Sequence, residues 1–154
     1  MLLFHADGRP FASGAADYFY QPATGDLTPR IILQVEIEGV LTSAIFDTGA
    51  PYLICSPKLA RYLNLDRRSA LEITRLNIRG VILAGRLHRV ALVIPASEGD
   101  GIRLDATAFV PEETSHVDWG GLPSFIGLNG CLERIRFAVD PGEDRLDFGL
   151  LTDD

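Results

Sequence analysis

The sequence predicts a mostly antiparallel β domain with two short helices. Three observations lead there. "IILQVEIEG" sets Leu33, Val35 and Ile37 against Gln34, Glu36 and Glu38, the two-residue period of a half-buried strand. Short apolar runs recur along the chain, parted by turn dipeptides such as Asp7-Gly8, Glu38-Gly39 and Asp100-Gly101. Helical spacing is confined to two brief stretches, one after Ser56 and one after Gly127.

Residues 1–29 are rich in Gly, Ala and aromatics, with "DYFYQP" their one strand-like piece. They read as an arm or an extra hairpin turning at Asp7-Gly8, set apart from a domain over 30–154. After the strand at 31–37 the chain turns at Glu38-Gly39, and "VLTSAIF" returns toward Asp47. In "SPKLARYLNL", Ser56 suits an N-cap and Pro57 the first turn, while Leu59 and Leu63 give one apolar stripe. "ALEITRLNIRGVILAGRLHRVALVIP" reads as two strands bent near Asn77–Gly80, "ASEGDG" as a turn, and "IRLDATAFV" as a further strand. Residues 111–123 form a polar loop bearing Gly and Pro. "SFIGLNGCLERI" steps through Gly127 into the second helix. "RIRFAVD-PGED-RLDFGLL" closes as a hairpin whose Phe137, Val139, Leu146 and Phe148 share a face.

With 154 residues the chain is long enough for one domain with a real core. No apolar run reaches the roughly 20 residues of a membrane span, so no membrane partner is expected. "MLLFHADGRP" lacks the basic start and long apolar stretch of an export signal. Cys55 and Cys131 do not make a disulfide framework, and reduced, buried thiols in the cytoplasm are the expectation. The net charge of −7 argues against nucleic acid as a partner. His5, His88 and His116 are scattered without ligand spacing, so neither metal nor cofactor is expected. Trp119, in the polar loop, reads as a satellite core residue or a substrate contact. The charge is uneven: residues 67–89 hold six arginines against Glu72 alone, a local +5. That segment is either a solvated strand face or a basic element that touches an acidic substrate.

"SAIFDTGAPYLICSP" carries the chemistry. A carboxylate at the end of an apolar strand is costly to desolvate, so Asp47 needs a partner, a proton or a job. Read as plain structure, it caps its own turn. Three segments give it more context: "RIILQVEIEGVLTSAIFDTGA", "RGVILAGRLHRVALVI" and "FIGLNGCLERI". Together they resemble the retropepsin-like aspartic proteases, in particular single-domain bacterial relatives of the retroviral enzymes, over residues 30–150. The resemblance implies a closed β-barrel of the acid-protease fold that works as a homodimer on polypeptide substrates. It implies Asp47 as the catalytic carboxylate, supported by Thr48, Gly49 and Ala50, with Thr48 a hydrogen-bonding brace. Phe125, Ile126 and Gly127 become the apolar step beneath the catalytic loop. The bend becomes the tip of a flap over the cleft, with Arg75, Leu76, Asn77, Ile78, Arg79 and Gly80 near substrate and with Gly80 and Gly85 supplying flexibility.

Such hydrolysis needs two carboxylates sharing one proton around a water. The chain has no second Asp-Thr-Gly or Asp-Ser-Gly. If Asp47 is catalytic, its partner is Asp47 of another copy, with the site on a two-fold axis. The sequence also departs from the viral pattern. Pro51 and Leu128 stand where viral members have an acidic residue and an arginine that pair, although Asn129 is retained. Two other readings stay open: a catalytically silent peptide-binding or dimerisation module of the same fold, and a barrel domain within a larger assembly.

Overall fold

Alternation decides what goes inside. In the computed structural model, which describes residues 2–65, 68, 70–112 and 121–151, the first 29 residues supply a turn and two strands. The turn at Asp7-Gly8 is closed by the His5 amide donating to the Arg9 carbonyl at 2.8 Å. Strands β1 (Gly14–Asp17) and β2 (Phe19–Pro22) follow. Strand β3 (Pro29–Ile37) buries Leu33, Val35 and Ile37 completely and leaves Gln34 exposed, as its pattern predicts. Glu38 and Gly39 both take positive φ, the geometry of a tight two-residue hairpin, and lead into β4 (Val40–Phe46).

Next come β5 (Leu53–Ile54), helix α1 (Pro57–Tyr62) and the long hairpin of β6 (Glu72–Ile78) and β7 (Val81–Ile94). The Ser56 side chain accepts from the Leu59 amide at 3.3 Å, the expected N-cap, and Leu59 and Ala60 are buried. The chain continues through β8 (Glu98–Gly99), β9 (Ile102–Pro111), β10 (Ser124–Ile126), β11 (Ile135–Asp140) and β12 (Arg145–Leu150). Two readings need correction. "ASEGDG" is not only a turn, because Glu98–Gly99 pairs with β1. The second helix is a single 3-10 turn, Leu132–Arg134. Arg67, His116, Trp119 and most of the loop at 111–123 lie outside the described residues.

Strands β3, β4, β10, β5, β9 and β7 follow one another around a closed ring, because β7 also pairs with β3 at Glu36↔Val93 and Ile37↔Leu92. β2 and β6 extend it outside β3 and β7. A second sheet runs β11-β12-β1-β8, and its hairpin pairs Phe137 with Phe148 and Val139 with Leu146, as read from the sequence.

The ring strands feed two apolar cores in strict alternation. Leu33, Ala44, Leu53, Ala108 and Ile126 enter the larger one. Their neighbours Ile32, Ile45, Ile54, Phe109 and Phe125 enter a smaller one. A sheet covered on both faces reads as unbroken apolar runs, which is why "AIF", "YLIC" and "AFV" do not alternate. The smaller core matters for the site, since Ala50 belongs to it.

Candidate active site

β10 lies between β4 and β5, parallel to the first and antiparallel to the second, with Ile126 opposite Phe46 and Phe125 opposite Ile54. The chain therefore leaves β4 at Asp47 right beside the end of β10. Asp47 donates its amide to the Ile126 carbonyl at 2.9 Å. Its carboxylate Oδ1 accepts from the Gly49 amide at 2.9 Å, and its carbonyl accepts from the Ala50 amide at 3.1 Å. Leu128 donates to the Ala50 carbonyl at 2.8 Å and Asn129 to the Pro51 carbonyl at 2.6 Å. Loops 47–51 and 126–129 are thus laced by main-chain bonds. Where the viral pattern has a charged pair, Pro51 and Leu128 take part through backbone atoms instead.

This resolves the buried-strand problem. Phe46 and Asp47 are half-buried, Thr48 and Gly49 are exposed, and Ala50 turns back into the smaller core. The carboxylate emerges from an apolar strand onto a loop that it helps to hold. Gly127 is buried against that loop: a Cβ there would lie 2.1 Å from the Tyr52 carbonyl oxygen.

The β6–β7 hairpin turns on Arg79 and Gly80, both at positive φ, and the Asn77 Oδ1 accepts from the Gly80 amide at 2.9 Å. Leu76 and Ile78 pack on the smaller core, alongside Ala50 and Phe125. Arg75 and Asn77 alternate onto the other face and are exposed. Gly85 serves close packing rather than flexibility, because a Cβ there would meet the Phe109 ring at 2.3 Å.

The arginines of the basic segment have separate surroundings. Arg68 pairs with Glu38 at 2.8 Å. Arg79, at the hairpin tip, comes within 3.5 Å of Asp26 Oδ2, in the turn between β2 and β3. Asp26 also accepts from Arg30 Nε at 2.9 Å and from the Leu27 and Thr28 amides. The Thr28 amide foremost, and then Arg30, hold its carboxyl below the usual carboxylate range against the opposing effect of burial. Sequence reading missed Asp26. "GDLT", an Asp accepting from the two following amides, was the available signal.

Cys55 and Cys131 are buried and free, and desolvation pushes both thiols up to about 12, which removes them as nucleophiles near neutral pH. Among the described residues no three of His, Cys, Asp and Glu gather as metal ligands. Nor is any helix among them long and apolar enough to cross a membrane.

Solved structures share this fold. One is a retropepsin-like aspartic protease from Rickettsia conorii, 17% identical, with a TM-score of 0.52 over 88% of this chain and 89% of that one. Another is the retroviral protease-like domain of Ddi1 from Leishmania major, 20% identical, with a TM-score of 0.51 over 80% of this chain and 94% of that one. The fold is therefore the mostly β, retropepsin-like one. No protein-family model matches the chain, and no curated protein matches it in sequence.

Proposed function

We propose that this chain is an aspartic endopeptidase that works as a homodimer, each copy contributing Asp47 to one site on the two-fold axis. One observation carries the reading: a half-buried carboxylate held by the Gly49 amide, on a loop laced to 126–129, within a retropepsin-like fold. The pair of carboxylates shares one proton, since two such groups in close contact do not both ionise. The ionised member draws a proton from water as it attacks the peptide carbonyl. The protonated member donates to the carbonyl oxygen. The two titrate as a unit, so neither apparent pKa belongs to one copy.

Thr48, exposed at the loop tip, braces the two loops across the axis in this reading. The β6–β7 hairpin closes over an extended peptide and excludes water. The catalytic unit spans 30–154, with β1 and β2 of the preceding segment completing its two sheets. The setting is the cytoplasm, where the two free thiols stay reduced.

The test is Asp47→Asn. Cleavage of a peptide library should fall by roughly a thousandfold or more, the scale of lost acid–base catalysis. Sedimentation should give the same dimer for variant and parent. Cleavage that survives the substitution, or a parent that stays monomeric while cutting, would sink the reading. A dimer with no Asp47-dependent cleavage is the silent peptide-binding module instead.

A further inference from the structure

Alternation along β4 sets Ser43 and Ile45 on one face of the sheet, and Ile45 belongs to the smaller core with Ala50 of the 47–51 loop. Gln34 and Ile32 lie opposite them on β3, and Phe19 lies opposite Ile32 on β2. This face carries a hollow of about 370 Å³, with Phe19, Gln21, Thr24, Gln34, Ser43 and Pro123 among its lining residues. Its further wall is the segment leading into β10, where a Cβ on Gly121 would lie 3.2 Å from the Thr24 methyl. Two residues past Thr24 comes Asp26, which Arg79 of the β6–β7 tip reaches. The hollow therefore shares its side of the sheet with the hairpin and the carboxylate loop. Ser43 stands four residues before Asp47, so at the rise of a strand the two are roughly 13 Å apart. An extended peptide covers that span in about four residues.

We propose that this hollow is a remote subsite for a large neutral side chain with an amide or hydroxyl end, such as glutamine or tyrosine, about four residues from the bond that is cut. The inference rests on the reading that a peptide lies across the Asp47 loop. The lining sets the class of side chain. Phe19, Ile32 and Pro123 offer an apolar flank, while Gln21, Thr24, Gln34 and Ser43 offer amides and hydroxyls. Gln34 donates to Ser43 Oγ at 2.8 Å, which orients both and leaves an amide oxygen to accept and a hydroxyl to donate. None of the described lining residues is ionisable. The charges nearby are already matched, since Asp26 holds Arg30 at 2.9 Å and Arg79 at 3.5 Å. A charged side chain entering here would lose water and gain no counter-charge. Phe19, 55% exposed, gains an occupant for its ring to cover. Phe19, Gln21 and Thr24 all precede residue 30, so the subsite is built by the segment that lies outside the resemblance to retropepsin-like proteases.

The test offers the full chain a synthetic library of amidated dodecapeptides and sequences the products, aligned on the bond cut. A position about four residues from that bond should favour glutamine and tyrosine over glutamate and lysine. Gln34→Glu should turn the preference at that position toward lysine and arginine by about tenfold, the scale of one charge-assisted contact. Preferences beside the cut bond should keep their order. Should that variant fold poorly, Gln21→Glu makes the same change from β2. Asp47-dependent cleavage with no preference at that position, or with one that neither variant alters, overturns the subsite and leaves the proposed function standing. Absence of Asp47-dependent cleavage overturns the proposed function instead. The library is then passed over the immobilised Asp47→Asn chain, and the retained peptides are sequenced. Retention that follows the Gln34→Glu exchange keeps the subsite, and retention blind to it, or none, removes the subsite as well.

Discussion

Gly127 has no room for a side chain. Its missing Cβ would press on two backbone atoms, the Tyr52 carbonyl oxygen at 2.1 Å and the Ala50 carbonyl oxygen at 2.5 Å, and neither can swing aside as a flexible side chain could. Gly127→Ala must therefore spread the loops that the Asp47–Ile126 and Leu128–Ala50 bonds hold together. The expected cost is about 2 kcal/mol, the scale of overpacking a tight site, read as a lower denaturant midpoint. Asp47-dependent cleavage should fall further than stability alone explains, because the substitution lands on the brace of the carboxylate. At this scale the sequence was most legible. "DTGA" and "FIG" are short, and it is the family resemblance that implies they lie together. Asp26 escaped although "GDLT" offered a local turn signal, because its contact with Arg79 depends on the fold.

Among the elements, the β6–β7 hairpin has the most to gain from a partner. Its inner Leu76 and Ile78 rest on the smaller core, while Ile73, Val81 and Ile82 are exposed on it. Arg79 ties its tip to Asp26, whose side chain is 8% exposed. Asp26→Asn should leave the barrel intact and raise hydrogen exchange of the hairpin amides at 76–84 several-fold; unchanged exchange would show that the pair does not hold the tip. The sign of the pH effect follows from the lowered carboxyl pKa. The contribution is full above the ordinary carboxylate value near ~3.9 and is lost as pH falls through the lower folded value. Resonances at the tip should stay put from pH 7 to 5 and move only below about 4, with Asp26→Asn abolishing that step. Element reading succeeded where one face is wet, as in β3, or where a cap is present, as at Ser56. It failed for β1 and β8, four and two residues long, because "GAAD" and "EG" carry no side-chain pattern and exist through their pairing with β12 and with each other.

For the whole molecule, the decisive feature is how the sheets close. β1 lies inside the β11-β12-β1-β8 sheet, where Ala15 is fully buried and Gly14 faces Phe148 across the register. Deleting residues 1–17 should therefore expose the β12 edge and abolish a cooperative melt, whereas deleting residues 1–9 should keep one; circular dichroism on heating distinguishes them. Closure of the barrel was implied by the family resemblance and not by the strand pattern, since the β3–β7 contact rests on two residue pairs far apart along the chain. The split into two cores was not legible in the sequence. Alternation is visible only where one side meets water.

The place of β10 in the ring has a consequence for synthesis. It is made after β9 yet must enter between β4 and β5, so the support of residue 47 is among the most distant pairings in the chain. Distant strand pairings form slowly, and a nascent chain emerges residue by residue. Until position 129 leaves the ribosome, β4 and β5 lack the strand that joins them and the carboxylate has no scaffold. An incomplete translation product is thus sticky at those edges, and under the proposed function it is chemically idle as well.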